Sequence, residues 1–230
     1  TLLFLHGGAV SGWMWQPVVQ HLPGFHCLVP DLPEHGASRA VMPFGIELAA
    51  EKCAELIRQQ AHGGEAVVVG LSEGAQVVVQ MLAASPQVMR AAMISSALLL
   101  PIAGSRIYSN QRLLAFLYRW SMSQPFHKDW WIRLNMRYSA GVPDEFFTLF
   151  KEDFKAITQS QFVNLMSANQ AFRLPQGLGV YQNPVLVAYG RHEYKAMRDS
   201  ARLLAKTLPH ARLLGFELPR HSTLAHEHNW

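Results

Sequence analysis

Residues 66–75 read Ala66-Val67-Val68-Val69-Gly70-Leu71-Ser72-Glu73-Gly74-Ala75, a β-branched run that stops at a glycine, turns through a serine and continues into residues of helical character. Consecutive valines suit a strand buried on both faces, as in a parallel sheet. The helical pattern over residues 75–84 places the turn between a strand and a helix. A serine at the apex of so sharp a turn presents its hydroxyl clear of both elements, and Gly70 and Gly74 leave room for helix and strand to approach. A hydroxyl is a poor nucleophile until a base takes its proton, so it must be offered to base and substrate together. Ser72 is accordingly the expected nucleophile.

Outward from this turn, short apolar runs alternate with longer amphipathic ones. Toward the N-terminus these are Leu2–Leu5, then residues 13–22, 27–30 and 46–60; toward the C-terminus, residues 91–95 read as a further strand. Strands alternating with helices imply a mostly parallel sheet covered by helices on both faces. From residue 101 to 182 the pattern changes to helix-like segments with no clear β-branched run between them. Leu113, Leu114, Phe116, Leu117 and Trp120 recur there at helical spacing, and Gly141-Val142-Pro143-Asp144 punctuates the middle as a turn. The alternation resumes with a strand over residues 184–189, a helix over 195–208 and a last strand over 212–216. The expected architecture is an α/β fold with its core over residues 1–100 and 183–230 and a helical cap inserted over 101–182.

The chain of 230 residues is long enough to bury the core of one domain. Twenty Lys and Arg against 16 Asp and Glu give a formal charge of +4, scattered rather than gathered, so no nucleic-acid partner is expected. Cys27 and Cys53 form neither a disulfide framework nor a zinc spacing, which points to two buried thiols in a reducing compartment. No apolar stretch reaches the roughly 18 residues that span a bilayer, and Thr1-Leu2-Leu3-Phe4-Leu5 has no basic flank, so a soluble, cytoplasmic protein is expected. The sequence opens on a core strand and stops a few residues into what reads as a final helix, the pattern of a fragment or of trimmed ends.

Acyl transfer develops negative charge on the former carbonyl oxygen, and preorganised backbone N–H groups stabilise it. One donor is expected at Glu73, directly after the nucleophile. The other is expected at Gly8, where Leu2-Leu3-Phe4-Leu5-His6-Gly7-Gly8 runs from a strand into a small-residue turn. The same segment followed by Asp31 could be read as a dinucleotide fold, but the G-x-G-x-x-G spacing is absent.

His6-Gly7-Gly8, Asp31-Leu32-Pro33-Glu34-His35-Gly36-Ala37-Ser38, the Ser72 turn and a late histidine stand in an order that resembles the α/β-hydrolase superfamily, serine esterases in particular, over nearly the whole chain outside the insertion. The resemblance implies the chain order nucleophile, acid, histidine. It implies that His221, in Leu218-Pro219-Arg220-His221-Ser222, is the base. It implies an acid at Glu193, in Tyr189-Gly190-Arg191-His192-Glu193-Tyr194, where such proteins usually carry Asp. A Glu can orient the imidazole as Asp does if its backbone sits back by about one bond length, roughly 1.5 Å. Some relatives with Glu here continue into a Met-Arg-x-Ser helix, which Met197-Arg198-Asp199-Ser200 matches.

The competing reading of Glu193 is a loop ion pair with Arg191 or Lys195. The rival acid, Asp199, falls inside the following helix, facing away; after Ser95 the next acidic residue is Asp129, within the insertion. The turn from Asp31 to Ser38 is commonly structural in such proteins, so Asp31 and His35 are not expected to be catalytic. His221, His226, Glu227 and His228 lie close together but lack the i, i+4 pairing of a zinc site. No metal and no cofactor are expected.

Fifteen of the 24 aromatic residues lie between Tyr108 and Tyr181, a concentration that both glues an insertion to its core and lines an apolar pocket. The expected activity is therefore hydrolysis of small to medium apolar carboxylic esters by a monomer or homodimer. Thioester, carbon-carbon bond or perhydrolytic chemistry on the same triad is the enzymatic alternative. A ligand-binding homologue without turnover is the alternative from another class, because fold does not fix function.

Overall fold

A computed structural model describes residues 1–102, 110–122, 128–137 and 142–217. Among the described residues six strands form one sheet: β1 (Leu2–Leu5), β2 (Cys27–Leu28), β3 (Ala66–Leu71), β4 (Met89–Ser95), β5 (Val185–Gly190) and β6 (Ala211–Phe216). Their order is β2-β1-β3-β4-β5-β6, and each neighbouring pair is parallel. Parallel neighbours require crossovers, and helices α1 (Gln16–Val19), α2 (Ile46–Gln60), α3 (Glu73–Ala84) and α8 (Lys195–Thr207) supply them.

Side chains alternate across the strands, so the sheet feeds two cores. Leu3 and Leu5 of β1 and Ala66 and Val68 of β3 join one apolar cluster with α2, α3 and α8, through residues such as Ile57, Val78 and Leu204. Phe4 and Leu71, pointing the other way, join a second cluster with Met14, Trp15 and Val18 and with Ile132, Phe147 and Phe150 of the insertion. Burial on both faces is what the valine run of β3 required.

Two elements are shorter than their sequence pattern. The helix expected over residues 13–22 is a 3-10 turn, Gly12–Trp15, followed by the single turn of α1. Pro17 has no N–H to donate and is tolerated only in a first turn, while Pro23 and Gly24 stop the chain soon afterwards. The strand expected over residues 27–30 pairs only at Cys27 and Leu28, because Pro30 cannot join a ladder. Of the two thiols expected to be buried, Cys53 is buried and Cys27 half-buried, both free.

Between β4 and β5 lie α4 (Gln111–Ser121), α5 (Asp129–Asn135), α6 (Phe147–Ala156) and α7 (Gln159–Ala171). Asn110 caps α4 by accepting from the N–H groups of Arg112 and Leu113, and Thr158 with Gln161 forms a capping box at α7. Polar anchors fasten these helices to the sheet layer. Asp153 of α6 accepts from Ser11 Oγ and Trp13 Nε1, each at 2.7 Å, and buried Gln76 of α3 donates to Leu98 O and Asn169 O. Among the described residues no helix is long and apolar enough to cross a membrane.

Helix α3 crosses β3 and β1 at very short range. A Cβ on Gly74 would stand 2.4 Å from Leu5 O and 2.6 Å from His6 O, and one on Gly70 would stand 2.5 Å from Gly74 O. Gly74→Ala is therefore expected to lower the unfolding free energy by about 1–3 kcal/mol, the usual cost of overpacking. Urea denaturation measures it, and a midpoint equal to that of the wild type would contradict the close approach.

Candidate active site

Ser72 sits at the junction of β3 and α3 with φ 57° and ψ −110°. A positive φ strains a residue with a Cβ by about 1–3 kcal/mol and persists only where its surroundings over-determine it. Here the Ser72 N–H donates to Ser95 O at 2.8 Å, the Gln76 N–H donates to Ser72 O, and the Gly74 N–H donates to His6 O at 3.1 Å. Strand β4 and the end of β1 thus hold the turn from both sides. The side chain is half-buried, at the positive end of α3.

The loop after β1 faces this serine: a Cβ on Gly7 would stand 3.6 Å from Ser72 Cβ. Within the loop the Gly7 N–H turns to Met14 Sδ at 3.4 Å, and the Ala9 N–H turns to His35 Nε2 at 3.4 Å. Gly8, between them, lies against the side chains of Glu73 and Leu165. The two residues expected to supply oxyanion donors are therefore in contact.

Strands β3, β4 and β5 are neighbours, and the residues following each meet along the C-terminal edge of the sheet. Ser72 follows β3, Ser96 follows β4 and Glu193 comes shortly after β5. Glu193 is buried, and its Oε1 accepts a 2.5 Å hydrogen bond from Ser96 Oγ. Gly190 makes this possible, since a Cβ there would stand 3.1 Å from Glu193 Cγ. The ion-pair partners considered for Glu193 are engaged elsewhere: Arg191 with Glu217 and Lys195 with Asp199.

Asp199 also binds Arg202 and stays on the outer side of α8. The rest of the Met197-Arg198-Asp199-Ser200 stretch braces the edge. Arg198 donates to Glu193 O at 2.5 Å, and buried Ser200 accepts from the N–H groups of Leu99 and Leu100.

The turn after β2 is a scaffold, in keeping with its expected structural role. Asp31 accepts from the N–H groups of Gly12 and Ala37, each at 2.7 Å. A Cβ on Gly36, at φ +44°, would overlap the Asp31 carboxylate. His6 is fully buried, its Nδ1 at 2.8 Å from Gly7 O and its Nε2 accepting from the Leu32 N–H at 2.9 Å. Burial, with His35 nearby, pushes its pKa down to about 3, and burial lowers that of His35 as well.

His221, like His226, Glu227 and His228, lies outside the described residues. Among the described residues no group of His, Cys, Asp and Glu is arranged to hold a metal. Ser96 and the side chain of Glu73 were not singled out from sequence. The available signals were a Ser-Ser pair closing an apolar strand and a carboxyl group inside an otherwise apolar helix start.

The buried histidines link stability to pH. Unfolded histidine takes up a proton near its ordinary value of about 6.5, whereas His6 in the fold stays neutral well below it. The unfolded state therefore binds more protons in that window, and stability is lost as pH falls, by up to roughly 1.4 kcal/mol per unit for one such group. Thermal unfolding should show a Tm that drops between pH 7 and pH 5, with a shallower slope in His6→Gln. An equal slope in both proteins would remove His6 as its source.

A sequence model of an alpha/beta hydrolase family matches residues 2–229 of the chain. An AB hydrolase superfamily protein of Gibberella zeae is 33% identical over 99 residues, 41% of this chain and 34% of that protein. Lipase LipV of Mycobacterium tuberculosis is 35% identical over 85 residues, 37% of this chain and 32% of that protein. The chain thus spans about a third of the length of these curated relatives. Among solved structures, a thermophilic esterase from Thermogutta terrifontis superposes with a TM-score of 0.71 at 19% identity, over 94% of this chain and 80% of that one, a likeness of fold.

Proposed function

The chain belongs to the alpha/beta hydrolase family, and on that premise we propose that it is a serine hydrolase cleaving small to medium apolar carboxylic esters through an acyl-enzyme on Ser72. The observation that carries this reading is the backbone of Ser72, held at φ 57° and ψ −110° between a strand and a helix N-terminus, with the Ser96-bound carboxyl of Glu193 on the same edge of the sheet.

In this reading His221 takes the proton of Ser72 Oγ as the oxygen attacks the ester carbonyl carbon. The negative charge that forms on the carbonyl oxygen is held by the N–H groups of Gly8 and Glu73. Engagement of the Gly7 and Ala9 N–H groups elsewhere supports Gly8 as the free-facing donor of its loop. The imidazolium of His221 returns its proton to the departing alcohol as the carbon-oxygen bond breaks. Water then gives a proton to His221 and its oxygen to the acyl carbon, and the carboxylic acid leaves as Ser72 recovers its proton.

Glu193 orients His221 and balances the imidazolium. Its hydrogen bond to Ser96 supports this role, because a side chain one methylene longer than Asp needs a second point of attachment to be as well placed. No cofactor takes part. Helices α4 to α7, inserted between β4 and β5, act as a cap over the site, and their aromatic side chains select apolar acyl groups.

Labelling with a fluorophosphonate is expected in the wild type and absent in Ser72→Ala; an unlabelled wild type, or equal labelling of both, would overturn the reading. On p-nitrophenyl esters of graded acyl length, Glu193→Gln should lower kcat by about 10³–10⁴-fold. Ser96→Ala should lower it by about tenfold, the equivalent of one well-placed hydrogen bond. Near-wild-type kcat in Glu193→Gln would move the acid elsewhere.

A further inference from the structure

Glu73 carries a side chain that the proposed reaction does not use. It is fully buried, and both carboxyl oxygens lack a hydrogen-bond partner among the described residues. The carboxyl rests against the backbone of the oxyanion loop: a Cβ on Gly8 would stand 3.3 Å from Glu73 Oε2 and 3.5 Å from Leu165 Cδ2. Its near polar neighbour is His35 Nε2, 3.8 Å from Oε2 and beyond hydrogen-bond length.

That neighbour offers no positive charge. His35 Nδ1 lies 2.8 Å from Pro33 O, which places the ring proton on Nδ1 and leaves the lone pair of Nε2 toward Ala9 N–H and Glu73. Burial keeps His35 and His6 in their neutral forms near pH 7. The charged groups that act on His35 are acids: Asp31 and Glu34 from the turn after β2, and Asp153 from α6. Glu34 is bound by Asn164 of α7, and Arg39 is spent on Asp153 at 3.4 Å.

An ionised Glu73 would thus be a buried anion with no counter-charge among the described residues, which proteins avoid by keeping such a group protonated. Burial accordingly pushes its pKa well above the ordinary carboxyl value.

We propose that Glu73 is a positioning residue that works as a neutral carboxylic acid, wedged beneath Gly8 so that the second oxyanion donor is held in place, and that its ionisation disables the site. This rests on the roles proposed for Ser72 and Gly8. The reason is electrostatic. The N–H of Glu73 and the N–H of Gly8 are to receive developing negative charge, and a carboxylate beside Gly8 in a low-dielectric pocket opposes that charge. An anion there also draws in water or a proton from its surroundings, and the Gly8 segment packed on it moves.

The consequence is an alkaline limb of kcat that belongs to Glu73. The decisive experiment compares pH profiles of kcat on one activated ester for wild type, Glu73→Gln and Glu73→Met, with fluorophosphonate labelling and infrared spectra in parallel. Wild-type kcat is expected to fall at least about tenfold above neutral pH along a one-proton curve. The substituted proteins, uncharged at position 73 at every pH, should be flat over the same range whatever their absolute kcat.

The infrared band of a protonated carboxylic acid should be present in wild type at neutral pH and lost in both variants. A wild-type profile without the limb, a limb of unchanged midpoint in a variant that folds, or an infrared spectrum that loses no such band would each overturn the proposal. Wild type that fails to label overturns the Ser72 reading together with it, whereas successful labelling with an unchanged limb overturns this proposal alone.

Discussion

The contact on which the rest of the site depends is backbone against backbone: helix α3 lies so close to β1 and β3 that only glycine fits at positions 70 and 74. The approach is short enough for the Gly74 N–H to reach His6 O. It leaves the connecting residue no room for an ordinary loop, so the chain reverses through Ser72 at a positive φ. The strain is local, and the hydrogen bonds and apolar contacts of a central strand and a buried helix outweigh it. One constraint thereby produces the strained apex, the helix N-terminus beside it and the nearness of the loop after β1.

The same edge of the sheet brings Ser96 and Glu193 together, because parallel strands end on the same side and the loops that follow them are neighbours. Glu193 uses this geometry differently from a shorter acid. It comes from the loop after β5, folds back over Gly190 and is caught by Ser96, which directly follows the adjacent strand. Arg198 and Ser200 hold the backbone around that contact, which explains the sense of a Met-Arg-x-Ser helix next to a glutamate. In the reading proposed here, a hydroxyl from a neighbouring strand compensates for an extra methylene.

Beside the loop after β1 lies a second buried polar layer, formed by His6, His35 and Glu73. The two histidines are bonded to backbone groups, so their neutral forms serve as rigid connectors between the loops after β1 and β2. Glu73 has no such bonds among the described residues, and burial there favours its uncharged form. Stability is thereby tied to pH: protonating the histidines works against the fold in acid.

Much of this was legible in the sequence because it depends on local pattern. The valine run of β3, the glycines flanking Ser72 and the period of the helices are properties of short segments, and they identified the α/β architecture and the strained serine. Even the departures were local, since Pro17 and Pro30 shorten the elements that contain them. What only the tertiary structure decided were meetings between distant segments: Ser96 with Glu193, Asp153 with Ser11 and Trp13, and the Glu73 side chain with Gly8 and His35. Sequence spacing determines which face of a strand or helix a residue occupies, whereas the partner of a buried polar group depends on which elements the packed sheet brings alongside.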